Sequence, residues 1–211
     1  YVDTAMAGTL GTQATAAVGA TTTVNWLVNS TISAVSIGFL AYISQACGAG
    51  EIQRAQKASS QAALATLVLG IFFTVLTLGL SPFVPVWMQV EAAIRKDTAH
   101  YFFILYSPML FRTATIIFGT VLRAVGDSKT PMKVGIWVNV INVVLNFLLI
   151  YPTRPLTIFN WTFTMPGAGW GVLGAAAASA VAFAVGGILL TIRYLRHKII
   201  SPLGMPLKPD M

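Results

Sequence analysis

Between Asp3 and Glu51 the chain runs for 47 residues without a single Asp, Glu, Lys or Arg. Further uncharged windows follow at 58–90, 98–111, 113–122, 134–153 and 155–192. A charge at the centre of a membrane helix costs about 2.5–3.5 kcal/mol on insertion scales, so long stretches free of charge mark where a chain is able to cross a bilayer. Composition agrees: 56% of the 211 residues are hydrophobic and 9% charged, where soluble domains carry roughly 25% charged residues. A soluble globule of this length needs a charged shell, whereas a bilayer removes that need by acting as the solvent for the outside of the protein.

The first window is too long for one span. At 1.5 Å per residue it would reach roughly 70 Å, more than twice the hydrocarbon thickness, and Gly8-Thr9-Leu10-Gly11 divides it. The windows predict a helix end at 1–7 followed by spans at 14–47, 57–89, 96–124, 131–151 and 169–196. Pro131 suits the first turn of its helix, and Pro82, Pro85 and Pro166-Gly167 punctuate the connections. The expected fold is all-α and integral to the membrane, one lobe over 1–211 with a truncated first helix and five complete transmembrane helices. Chain start and chain end both read as cuts through a longer protein. Gly167 and Gly171 read as a GxxxG packing face of the last span.

Successive connections alternate sides. Nine basic residues, from Arg54 to Lys208, then fall on one side, against Arg95, Lys96 and Arg154 on the other. Under the positive-inside rule the first group faces the cytoplasm, and so does Met211. The net charge of +7 is thus a topology signal rather than a nucleic-acid footprint. One cysteine, Cys47, and two widely separated histidines exclude a cysteine cluster or a zinc motif within this sequence. No phosphate loop, nucleophile elbow or carboxylate pair within a span points to an enzyme.

Polar residues inside spans are the functional clues, because lipid cannot satisfy them. Asp3 lies five residues before the Gly8 turn. Asn139, Asn142 and Asn146 share one helix face within about 60° of arc. Such amides either bond between helices or line a cavity and offer oxygen to a hard cation. A second stripe, Thr22, Asn25, Asn29, Ser33 and Ser36 beside Trp26, permits the same two readings. Arg112 sits mid-span and needs protein, water or an acid against it, either as a tether or as a substrate contact.

These residues resemble the N-terminal half of the multidrug and toxic compound extrusion (MATE) transporters. The resemblance is carried by Val2-Asp3-Thr4-Ala5-Met6-Ala7-Gly8, Gly48-Ala49-Gly50 before Arg54-Ala55, Leu122-Arg123-Ala124-Val125-Gly126-Asp127-Ser128-Lys129-Thr130-Pro131, Asn142-Val143-Val144-Leu145-Asn146 and Gly174-Ala175-Ala176-Ala177-Ala178-Ser179. It implies a twelve-helix exporter of two six-helix lobes in the inner membrane of a bacterium. Na⁺ or H⁺ entry would drive amphipathic, mostly cationic drugs outward. It assigns Asp3, Asn142, Asn146 and Ser179 to the cation or proton site, with Na⁺ possible at Asp3. Asn146 departs from the family pattern, where an Asp stands. Asn25, Trp26, Asn29, Ser33, Arg112 and Asn139 are the residues expected to line the drug cavity, whose other half belongs to the C-terminal lobe. Two alternatives remain open from the sequence: a lipid-linked oligosaccharide flippase of the same superfamily, and a membrane scaffold that transports nothing.

Overall fold

The computed structural model describes residues 12–158 and 161–201. Its elements, in chain order, are α1 (Thr12–Gly48), α2 (Ile52–Leu80), a single turn α3 (Val84–Trp87), a 3₁₀ turn (Ala92–Ile94), α4 (Arg95–Tyr106), α5 (Met109–Ala124), α6 (Lys129–Leu149), β1 (Pro152–Ile158), β2 (Trp161–Ala168) and α7 (Gly171–Leu195). Among the described residues α1, α2, α6 and α7 are each long and apolar enough to cross a bilayer, and α4 with α5 makes a fifth crossing if they form one broken span. The stub at 1–7 lies outside the described residues.

Four of the expected spans correspond to single helices, and the fifth, 96–124, to the pair α4 and α5. The span read as 57–89 is α2 ending at Leu80, followed by the separate turn α3. The span read as 96–124 breaks at Ser107-Pro108, where the proline lacks an amide and leaves the Ile104 carbonyl without its helical donor. The connection at 155–168 holds an unforeseen antiparallel hairpin, with Pro152 paired to Ala168 and Ile158 to Trp161. Gly167 lies in β2 and Gly171 opens α7, so the pair does not form one helix face.

Several threonine hydroxyls in the apolar helices are satisfied by their own backbone. Thr31, Thr66, Thr113, Thr120 and Thr191 each donate to the carbonyl four residues earlier, at 2.7–2.9 Å.

The chain packs as two compact units. The first takes residues up to Asn25 with Leu76–Pro108 and Asn139–Ala182; the second takes Trp26–Val75, Met109–Val138 and Phe183 onward. The turns after α1, α5 and α7 belong to the second, and the connections α2–α4 and α6–α7 to the first.

Two turns of the second unit end their helices alike. The Glu51 amide donates to the Ala46 carbonyl and the Gly50 amide to Cys47, and Asp127 and Gly126 repeat the pattern on Leu122 and Arg123. Gly50 and Gly126 hold the left-handed conformation this stop needs, at φ 76° and 87°. At the end of α7 the buried Tyr194 hydroxyl donates to the Ser59 carbonyl at 2.7 Å, and beyond it the Ile200 carbonyl accepts from the Ser59 hydroxyl at 2.7 Å. Phe118 stacks on the Tyr194 ring at 4.2 Å.

In the first unit, a methyl group at Gly174 would meet the backbone of Leu149 and Ile150. The glycine lets α7 approach the end of α6 closely, and this brings Ser179 within reach of α6.

Candidate functional site

The polar centre of the first unit is built from α6 and α7. Asn142 and Asn146 are four residues apart, one helical turn, so their amides stand one above the other. The Asn146 amide donates to the Asn142 side-chain oxygen at 3.2 Å, and the Asn142 amide donates to the Ser179 hydroxyl at 3.0 Å. Asn146 is wholly buried and Ser179 nearly so. Asn139, one turn earlier, is exposed. Burial thus deepens along this one helix face.

This is a neutral donor set of amide and hydroxyl oxygens. Such oxygens suit a hard cation or a proton-bearing partner, but they leave its charge uncompensated. No group of three or more His, Cys, Asp or Glu occurs among the described residues. The carboxylate expected beside the set, Asp3, lies outside them.

The remaining expected residues do not join this cluster. In the first unit Asn25 accepts a hydrogen bond at 3.3 Å from the hydroxyl of Tyr106, a buried residue of α4. Trp26, Asn29 and Ser33 belong to the second unit. Trp26 is 70% exposed, whereas Asn29 and Ser33 are half-buried. Part of the α1 stripe turns inward on its own helix: Thr22 donates to the Val18 carbonyl at 3.2 Å and Ser36 to that of Ser33 at 2.9 Å. Arg112 is only 6% exposed and lies in the second unit, its guanidinium 4.7 Å over the Phe183 ring. This cation–π contact holds the guanidinium against α7.

Tyr106 is the polar partner that sequence reasoning missed. Its signal was a tyrosine within an apolar span just before Ser107-Pro108, but nothing in the spacing ties it to Asn25.

Four or five helical segments long and apolar enough to cross a bilayer, with polar residues buried among them, define a multi-pass membrane protein. Comparison with known proteins specifies it further. The sequence model of the MatE family matches residues 1–148, and the chain belongs to that family. The probable multidrug resistance protein NorM of Thermotoga maritima is 27% identical over 189 residues, 90% of this chain and 38% of NorM. Two solved structures share the fold over 99% of this chain. An outward-facing multidrug resistance MATE family transporter of the MOP superfamily has a TM-score of 0.86 at 20% identity, and an inward-facing one 0.84 at 18%. The chain spans 43% and 44% of those proteins, in keeping with one lobe.

Proposed function

We propose that the protein carrying this sequence is a cation-coupled multidrug exporter, with this chain as one of its two lobes. The observation that carries the reading is the part-buried chain Asn146–Asn142–Ser179, a polar cluster inside the lobe of a family whose relatives include a probable multidrug resistance protein. Asp3 supplies the negative charge that the neutral amides and hydroxyl lack, and together they hold the entering Na⁺ or proton. Binding drives export only if the ion prefers one conformation of the transporter over the other. The drugs are amphipathic cations, sharing a cavity with the other lobe, and no chemical reaction is involved. The basic turns of the second unit face the cytoplasm.

The test is ethidium efflux from drug-sensitive cells expressing the full-length protein under imposed Na⁺ or pH gradients. Wild type exports, and Asp3→Asn loses gradient-driven efflux while remaining expressed and membrane-inserted. Undiminished efflux by a well-expressed mutant would overturn the coupling role of Asp3. A lipid-linked oligosaccharide flippase of the same superfamily is the alternative reading, and it would give no ethidium efflux under either gradient.

A further inference from the structure

A cleft of about 500 Å³ lies wholly within the second unit, between the last four turns of α1 and the first three of α2. Its polarity is graded. Tyr42, Arg54 and Lys57 stand near the Gly48–Ile52 turn, while Gly38, Phe39 and Ala58 are among the residues of its apolar wall. At 1.5 Å per residue Tyr42 is about 9 Å from the helix end and Gly38 about 15 Å. The cations therefore sit at headgroup depth and the apolar wall reaches toward acyl-chain depth.

Arg54 is held in place at the mouth. Its guanidinium donates to the Tyr42 hydroxyl at 2.8 Å and to Glu51 at 2.9 Å, and lies 4.7 Å over the Tyr42 ring. Glu51 pairs with Arg54, and Lys57 adds a second basic group to the lining. Gly38 is the second observation. A glycine inside a helix weakens it relative to alanine, yet a methyl group there would meet nothing within 4 Å. The glycine adds to the open space of the cleft.

We propose that this cleft binds one anionic phospholipid, with its phosphate between Arg54 and Lys57 and the start of an acyl chain along Gly38, Phe39 and Ala58. An anionic head joined to an apolar tail matches both ends of the cleft, and such lipids are found in the leaflet that basic turns face. The site does not depend on which ion or drug the transporter carries.

The test uses the full-length protein in detergent, titrated with palmitoyl-oleoyl phosphatidylglycerol or the zwitterionic phosphatidylcholine and read by native mass spectrometry. Phosphatidylglycerol should bind the wild type more tightly. Arg54→Gln and Lys57→Gln should each weaken it about fivefold, the effect of one basic group near an anionic lipid surface. Gly38→Leu, which keeps every charge and favours the helix, should block binding by filling the cleft. Arg196→Gln, a basic residue outside the cleft, should change nothing. Equal affinity for the two lipids, binding unaffected by Gly38→Leu, or displacement by inorganic phosphate at matched concentration would each overturn the proposal, the last by marking a simple ion site.

Discussion

Asp127 shows how much a single side chain can order at a membrane boundary. Its carboxylate accepts from the Thr130 amide at 3.1 Å and hydroxyl at 2.8 Å, and Arg193 approaches to 3.2 Å. Burial pushes its pKa up, but the Thr130 bonds and the Arg193 charge outweigh that and hold it below the ordinary carboxylate value. A carboxyl whose pKa is depressed by folding stabilises the fold above its unfolded value, near 3.9, and loses that contribution as pH falls through the folded value. Asp127→Asn keeps an oxygen acceptor but removes the charge, and should therefore lower stability at neutral pH by about 0.5–1 kcal/mol, the usual worth of an acid at a helix start or of an exposed ion pair. The gap between variant and wild type should narrow as pH drops below about 4. Thermal melts of the purified protein across pH would show this, and a gap independent of pH would refute it. His197 acts in the same direction: burial first, then the Arg193 charge, keeps its pKa below the ordinary value despite Asp127. Its contribution is present above about 6.5 and fades as pH falls through the lowered value. The Asn142 and Asn146 pairing was legible in sequence, because four residues make one helical turn. Ser179 entered only through family resemblance, since no spacing rule relates residues 37 positions apart on different helices.

At the scale of elements, charge-free windows located every described span because insertion energetics act on composition, which sequence displays directly. Ends and interruptions were less legible. The hairpin β1–β2 passed for an irregular connection because its strands contain Pro152, Pro155 and Pro166, which weaken a strand signal. The helix contact was assigned to the wrong glycines, as a GxxxG pattern does not reveal where α7 begins. Gly174 makes the close approach, which yields a comparison with Gly135 of α6, where a methyl group meets nothing within 4 Å. Glycine to alanine inside a helix normally gains up to about 1 kcal/mol. Gly135→Ala should leave the melting temperature unchanged or raise it. Gly174→Ala should lower it, since the added methyl presses on backbone that cannot rotate away, a misfit costing about 1–3 kcal/mol. Equal melting temperatures for the two variants would remove Gly174 as the contact point between α6 and α7.

For the whole molecule, the arrangement of basic turns implies an orientation. Among the described residues, Arg54, Lys57, Arg123, Lys129, Arg193 and Arg196 lie in or beside turns of the second unit, while Arg95 and Lys96 lie at the start of α4 in the first. In a background stripped of other cysteines, Asp97→Cys should react with a membrane-impermeant maleimide added to intact cells, and Arg196→Cys should react only after lysis. The reverse pattern would invert the topology. Composition and periodicity were enough to mark a membrane protein, the stretches able to cross, and the residue faces that carry polar groups. These properties follow from transfer energies and helical periodicity, which act locally along the chain. Which polar groups meet emerged with packing: Asn142 with Ser179, Asn25 with Tyr106, Arg112 with Phe183, and Arg54 with Tyr42 beside a cleft. Those meetings depend on how helices distant in sequence pack together, and packing is set by close approaches, such as the one at Gly174, that no single helix encodes.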